Sequence, residues 1–164
     1  MRIRKATGAD AEVLAALRYA FRAALDPPTE SEPAFVARTT RWMRDRLESS
    51  VWHCWIAEEE NSVVGQVWVE PIEKIPNPVG EPEIMAYVTN VYVKSSARGR
   101  GIGSSLLAKA LEWCKESGVD GALLRPTDRS RPLYERHGFR TATGLMEVRY
   151  GSPARERDGT PDEA

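Results

Sequence analysis

The feature of this sequence that most constrains its fold is a glycine- and arginine-rich turn between two apolar segments. The turn reads Arg98-Gly99-Arg100-Gly101-Ile102-Gly103-Ser104, and the apolar stretch before it predicts a strand over 84–93. The segment after it predicts an amphipathic helix, because apolar residues recur there at helical spacing: Leu106, Leu107, Ala110, Leu111 and Cys114. Gly118 ends that helix. A strand, a tight turn and a helix in this order are typical of α/β proteins.

The same turn has the chemistry of an anion site. Glycines at 99, 101 and 103 let backbone N–H groups approach a ligand with no Cβ in the way. The start of a helix adds unpaired N–H groups and the positive end of its dipole, while Arg98, Arg100 and Ser104 add charge and a hydroxyl donor. On spacing alone, an incidental flexible turn is equally compatible. A dinucleotide motif and a P-loop are disfavoured, because the third glycine of the first and the Lys-Ser/Thr pair of the second are absent.

Further elements follow from periodicity. Thr7 and Asp10 have capping-box spacing ahead of an amphipathic helix that ends at Asp26-Pro27-Pro28, and Pro33 opens a second helix. Two β-branched and aromatic runs, 51–57 and 63–69, predict an antiparallel hairpin, and residues 70–82 predict a loop. Ala122–Leu124 predicts a short buried strand, 131–137 a short helix, and 141–150 a last strand or hairpin.

Composition bounds the class of protein. With 164 residues, 41% of them hydrophobic and 29% charged, the chain is predicted to be a globular protein with one domain over 1–150 and a disordered tail over 151–164. A net charge of −1 gives no bulk attraction to nucleic acid or to an anionic membrane. Two distant cysteines and a polar N-terminus without an apolar run predict a reduced, cytoplasmic protein.

Two motifs together carry a resemblance. Arg98-x-x-Gly101-x-Gly103, directly after Val91-Tyr92-Val93, resembles the acyl-CoA motif of the GNAT superfamily of N-acetyltransferases. Further along, Pro132-Leu133-Tyr134-Glu135-Arg136-His137-Gly138-Phe139 resembles that superfamily's second signature, in which a Tyr precedes a Gly-Phe pair. The motifs occur in the right order. The resemblance covers most of residues 1–150, although only 87–139 is specific.

The resemblance implies an α/β (α+β) fold with a mixed, mostly antiparallel sheet, splayed central strands and helices on both faces. It implies acetyl-CoA as co-substrate, with pantetheine bound along an opened edge of Val91, Tyr92 and Val93. The residues implied to hold the pyrophosphate are Arg98, Gly99, Arg100, Gly101, Ile102, Gly103 and Ser104. Tyr134 matches the general acid that protonates the departing thiolate, with core packing as the alternative. Thr127 stands where some relatives carry an Asn that contacts pantetheine, so it either keeps one such bond or is only a polar residue at a strand end.

Other candidate groups stay open. A carboxylate base is not assignable, because Ala122–Leu124 offers none where some relatives carry a Glu; Asn90 could fix a water or the amine, and the remaining candidates are Glu70, Glu73, Glu81 and Glu83. His53 and His137 lack partners at metal-ligand spacing, so no metal is expected. Four tryptophans are predicted to build core rather than a substrate cage: Trp42, Trp52, Trp55 and Trp68.

The implied function is direct transfer of an acetyl group from acetyl-CoA to a primary amine in a ternary complex. The acceptor is a small-molecule amine or a peptide or protein amine, and a homodimer is compatible with the resemblance. Two alternatives remain at this point. One is a non-catalytic acyl-CoA-binding or regulatory domain of the same fold, and the other is an interaction module whose glycine turn is incidental.

Overall fold

The computed structural model of the chain describes residues 1–142, 144–148 and 150, so the predicted tail over 151–164 lies outside the described residues. The residues cluster into two compact units, 1–125 and 126–164. Among the described residues, the first unit contains a sheet, three α-helices and two short 3₁₀ helices, and the second contains one short α-helix. In the described part of the chain, no helix combines the length and the apolar character needed to cross a membrane.

The sheet has five strands in sequential order: β1 (Arg2–Lys5), β2 (His53–Glu59), β3 (Ser62–Glu73), β4 (Ile84–Val93) and β5 (Gly121–Leu123). Neighbouring strands from β1 to β4 are antiparallel, and β5 joins β4 in parallel. The hairpin of β2 and β3 turns through Glu60 and Asn61, both with positive φ, which Asn tolerates better than most residues. The predicted mixed, mostly antiparallel sheet is confirmed.

The helices are α1 (Ala11–Ala23), α2 (Glu32–Glu48), α3 (Ile102–Glu116) and α4 (Arg131–Arg136). A short 3₁₀ turn precedes α1, and the predicted capping box lies at its start. There the Thr7 N–H donates to Asp10 Oδ2 at 2.8 Å. The prolines at 27 and 28 follow α1, and Pro33 occupies the first turn of α2, where its missing N–H costs nothing.

Helices cover both faces of the sheet, as predicted. On one face, Cys54 and Ile56 of β2 pack with Leu14 of α1 and Met43 of α2 in a buried cluster. On the other face, the neighbouring strand residues His53 and Trp55 pack against Trp113 of α3, with ring centroids 4.1 and 5.7 Å away. Alternation along β2 therefore sends successive side chains into two different cores. Both cysteines are buried and free.

β3 runs further than the sequence predicts. The predicted loop begins at residue 70, yet β3 continues to Glu73, with Pro71 paired opposite Ala86 of β4. The pairing of β2 with β3 ends at Val69. Pro71 therefore lies where β3 is paired on one side alone. Proline is tolerated at such an edge because its missing N–H faces no partner.

β4 and β5 separate early. Their ladder covers only Met85–Tyr87 against Gly121–Leu123, so β4 from Val88 to Val93 has no β5 partner. One edge of β4 therefore has no β5 partner from Val88 onward, at the position where the resemblance implies an opened edge.

The predicted strand over 141–150 is wrong for the residues described there. None of them is in a strand, and the side chains that suggested alternation are 62–99% exposed: Leu145, Met146, Val148 and Tyr150. An alternating run becomes a strand only when a neighbouring strand supplies ladder bonds and burial, which local sequence does not specify.

Candidate functional site

The glycine turn has the backbone conformation that its sequence requires. Gly99 and Gly101 have φ of +78° and +75°, in the left-handed region. A Cβ at either position would meet no atom within 4 Å. The glycines are therefore needed for their dihedral angles rather than for space, since an L-residue with a side chain is disfavoured there.

Gly101 is also the N-cap of α3, and the first bond of that helix runs from Ser105 N–H to Gly101 O at 3.0 Å. The amides of Ile102 and Gly103 precede this bond, so the helix itself gives them no acceptor. The Ile102 side chain is 2% exposed and anchors the turn in the core, while Gly99 to Gly101 are exposed. The turn thus presents main-chain donors and the positive end of the α3 dipole to solvent.

Both arginines of the turn already have partners. Arg98 Nε donates to the Val93 carbonyl at 2.9 Å, and its guanidinium lies 5.8 Å from the Tyr92 ring centroid. Arg100 forms a 2.5 Å ion pair with Glu59 at the end of β2. An exposed ion pair contributes little and exchanges readily for another anion. The Glu59 partner of Arg100 was not predictable from the turn alone, because it lies 41 positions away.

β4 carries a bulge directly before Val91, Tyr92 and Val93, the part of this strand that is predicted to bind the cofactor. The register against β3 shifts between Gln66 and Trp68, so one extra residue of β4 lies between Thr89 and Tyr92. Asn90 at this point has φ of +53°, a conformation rare for residues other than glycine. A strained residue inside a strand is a recurrent mark of a functional site. The turn, Val91, Tyr92, Val93 and this bulge are brought together at one end of β4.

A cavity of about 400 Å³ lies beside the bulge, between α1, α2, β3 and β4. Its wall includes Arg18 of α1, the tryptophans Trp42, Trp52 and Trp68, and Thr89 and Asn90 of β4. We call it the tryptophan pocket. Its three indole rings contact one another, with centroids 5.7–6.4 Å apart.

The tryptophans serve two roles, and Trp68 takes part in both. Trp55 and Trp68 are 6% and 2% exposed and build core, as predicted. Trp42 is 40% exposed, and together with Trp52 and Trp68 it lines the pocket. The prediction that all four would only build core was therefore incomplete. Trp42 and Trp68 belong to different elements, so no local spacing indicates that they share a cavity.

In the second unit, the Gly-Phe pair closes α4. Gly138 has φ of +87°; its N–H donates to Glu135 O, and the Phe139 N–H donates to Tyr134 O at 3.1 Å. These two bonds form a Schellman motif, which normally joins a hydrophobic pair across the helix end. Here that pair is Tyr134 and Phe139, with ring centroids 5.9 Å apart. The motif thus fixes the tyrosine.

Tyr134 itself is 9% exposed. Burial raises the pKa of its phenol, and a hydrogen bond with Ser130 opposes that shift. The phenol is therefore protonated at neutral pH, as a proton donor must be.

Thr127 stands at the start of the turn that leads into α4. Its N–H donates to Ser130 Oγ at 2.9 Å, its hydroxyl lies 3.0 Å from the same oxygen, and its carbonyl accepts from Arg131. The contacts are those of a local cap. They give Thr127 a structural role, and the predicted pantetheine contact stays a prediction.

Three of the four glutamates that are candidate bases have exposed side chains. Glu73, Glu81 and Glu83 are exposed, and Glu70 is half-buried opposite Tyr87 in the sheet. His53 is buried beside Trp113, and His137 is the C-cap residue directly after α4. Within the described residues, no group of three or more His, Cys, Asp or Glu side chains is arranged to hold a metal ion.

Known proteins resemble this chain in sequence and in fold. The model of the acetyltransferase (GNAT) family matches residues 15–139. The mycothiol acetyltransferase of a Parafrankia species is 29% identical over 134 residues, which are 70% of this chain and 41% of that protein. This chain thus matches less than half the length of that relative.

Two solved structures share the fold. A GCN5-related N-acetyltransferase from Ralstonia eutropha is 26% identical with a TM-score of 0.71, covering 92% of this chain and 99% of that one. A predicted acetyltransferase from Clostridium acetobutylicum, solved with acetyl-CoA, has a TM-score of 0.74 at 24% identity, covering 90% and 95%.

The family match covers more than half of the sequence and includes both the glycine turn and the Tyr134 signature. The chain therefore belongs to the acetyltransferase (GNAT) family. The predicted family and the predicted enzyme class, an acetyltransferase, are confirmed.

Proposed function

We propose that the protein is an N-acetyltransferase that moves an acetyl group from acetyl-CoA to a primary amine by direct attack in a ternary complex. The observation that carries this proposal is the anion cradle at the start of α3. Exposed main-chain donors, a helix N-terminus and two arginines converge there, directly after a strand whose edge is open. A diphosphate fits this cradle because its oxygens accept from several backbone N–H groups at once.

The open edge of β4 fits the pantetheine arm. From Val88 to Val93 the strand lacks a partner on the β5 side, so its outward backbone groups can bond an extended chain as a neighbouring strand would. Arg98 occupies the Val93 carbonyl, which leaves the backbone of Val91 and Tyr92 as the better acceptors and donors. The thioester would then lie near the Asn90 bulge.

The proposed transfer converts the thioester of acetyl-CoA into an amide. The neutral amine attacks the thioester carbonyl, an N–C bond forms, and the C–S bond breaks. Tyr134 gives its phenolic proton to the departing thiolate, whose thiol has an ordinary pKa of roughly 8.5. The amine nitrogen releases a proton to water or a carboxylate, and the tyrosinate recovers a proton from solvent. The products are an amide and coenzyme A.

The loop is tested by replacing its charges. We expect the Arg98→Ala, Arg100→Ala double variant to bind coenzyme A at least about a hundredfold more weakly by calorimetry, because two charge-assisted phosphate contacts at about 1.5–3 kcal/mol each sum to about 3 kcal/mol or more. The matched control is Arg41→Ala, Arg44→Ala on α2. The double substitution should weaken the binding of pantetheine much less, because pantetheine lacks the diphosphate. Unchanged coenzyme A affinity would contradict the loop assignment.

A further inference from the structure

Arg18 is a charged group in the wall of the tryptophan pocket that has no carboxylate partner among the described residues. Its side chain is half-buried, and it makes one long hydrogen bond, from Nη1 to Asn90 Oδ1 at 3.3 Å, with its guanidinium 5.7 Å from the Phe21 ring centroid. In the part of the chain that the structure describes, no carboxylate pairs with it. Burial and the charge of Arg22 lower the pKa of Arg18, which reflects a cation without a counter-ion.

Arg38 on the same wall is different. It forms a bidentate ion pair with Glu30, and its guanidinium lies 4.9 Å from the Phe35 ring centroid. Its charge is already neutralised at the surface. Of the two arginines in the pocket wall, Arg18 is therefore the one without a carboxylate partner among the described residues, and its planar guanidinium still has several donors for a second partner.

The remaining wall is apolar and aromatic. The rings of Trp42, Trp52 and Trp68 form one continuous side, and a volume of about 400 Å³ matches a small molecule. Asn90 closes the end next to the β4 bulge. An apolar wall with one unpaired cation is the usual design for a ligand that has a hydrophobic body and a single anionic group.

We propose that the tryptophan pocket binds the acceptor, and that this acceptor is a small amine carrying both an apolar ring or chain and a carboxylate or similar anion. That the bound molecule is the acceptor of the acetyl group rests on the proposed function. The anion bonds to Arg18, the apolar body packs on the three indoles, and the amine points to the bulge at Asn90. Purely cationic amines, such as diamines or lysine side chains, are disfavoured because Arg18 repels them.

A binding experiment tests the pocket without any chemistry. The three pocket tryptophans report on ligand by fluorescence, and the probes are 3-phenylpropionate and 3-phenylpropan-1-ol, which share a body and differ in the anion. We expect the acid to bind about tenfold tighter to the wild type, since one charge-assisted bond contributes about 1.5 kcal/mol or more. Equal affinity for the two probes would overturn the inference.

Variants locate the effect. Arg18→Gln should weaken the acid about tenfold and the alcohol by less than about twofold, removing the preference, while Arg18→Lys keeps most of it. Arg22→Gln, one turn further along α1 and ion-paired with Asp26, is the matched control and should keep the preference. Trp42→Ala should weaken both probes alike. If Arg18→Gln weakens both equally, Arg18 has only a structural role.

Turnover separates this inference from the proposed function. Coenzyme A thiol release is measured with L-phenylalanine and with phenethylamine, which lacks the carboxylate. Acetylation of phenylalanine in preference to phenethylamine, lost in Arg18→Gln, supports both proposals. Preference for phenethylamine overturns the acceptor inference and leaves the transferase in place. Probe binding with no thiol release from either amine overturns the acceptor role of the pocket, while its anion-binding role stands.

Discussion

Tyr134 shows how one residue can be held by its own local sequence. Its carbonyl accepts the Phe139 N–H at the end of α4, and its ring packs on Phe139 across that helix end. Gly138 makes the bend possible through its positive φ. A tyrosine followed four residues later by a Gly-Phe pair therefore fixes its own phenol, which explains why three residues within six positions suffice as a signature.

Replacing Tyr134 separates the phenol from the ring. Tyr134→Phe keeps the packing with Phe139, so the free energy of unfolding should change by about 1 kcal/mol or less. If the hydroxyl supplies the proton, kcat should fall by about 10²–10⁴-fold, with coenzyme A affinity unchanged by calorimetry. Tyr19→Phe, which removes a phenol that bonds to the Glu30 carbonyl, is the matched control. Equal kcat in the Tyr134 variant would leave that residue a packing role only.

Among elements, β4 departs most from its regular form. It pairs with β3 along its length, separates from β5 after Tyr87, and bulges at Asn90. A bulge increases local twist and aims backbone groups in a new direction. The open edge and the bulge are therefore two effects of one irregular strand, and they lie between the glycine turn and the tryptophan pocket.

The residue at the bulge should be replaceable by glycine but not by a β-branched residue. Asn90→Gly accepts φ of +53° without strain, so we expect it to change the free energy of unfolding by less than about 1 kcal/mol. Asn90→Val should destabilise the protein by about 1–3 kcal/mol, because a branched side chain clashes in the left-handed region. Urea denaturation measures both variants. Equal stability for the glycine and valine variants would show that the bulge is not maintained by residue 90.

Elements with strong local signals were predictable, and those that depend on partners were not. The period of apolar residues predicts α3, and the glycines predict its start. In contrast, Pro71 argues against a strand until the short reach of β2 is known. Residues 141–150 argue for a strand that lacks a ladder in the described residues. The bulge has only one local signal, an asparagine within an apolar strand.

Over the whole molecule, the glycine turn could be read from the sequence because all of its parts are contiguous. The tryptophan pocket could not, because Arg18 and Asn90, which bond across it, are 72 positions apart. The pairing of Arg100 with Glu59 is hidden for the same reason. Contiguous motifs therefore predict the cofactor class, while the acceptor chemistry depends on contacts that only the fold creates.

Acid stability depends on a group between the sheet and α3. His53 is 8% exposed, lies against Trp113, and finds no hydrogen-bond partner for Nδ1 among the residues that the structure describes. Burial, together with the nearby charge of Lys5, lowers its pKa from 6.5 to about 4. The unfolded chain therefore takes up a proton as the pH falls below 6.5, while the folded protein does not until about 4, so stability is lost across this window.

His53→Phe removes the titrating group and keeps a ring beside Trp113. We expect the wild type to lose about 2 kcal/mol of unfolding free energy between pH 7.5 and 4.5 through this histidine, a value discounted from the full shift for solvent screening. The variant should lose that much less over the same range in urea titrations. At pH 7.5 the imidazole is neutral in both states, so any difference there reports packing alone. Parallel pH profiles for the two proteins would show that His53 is not the acid-sensitive group.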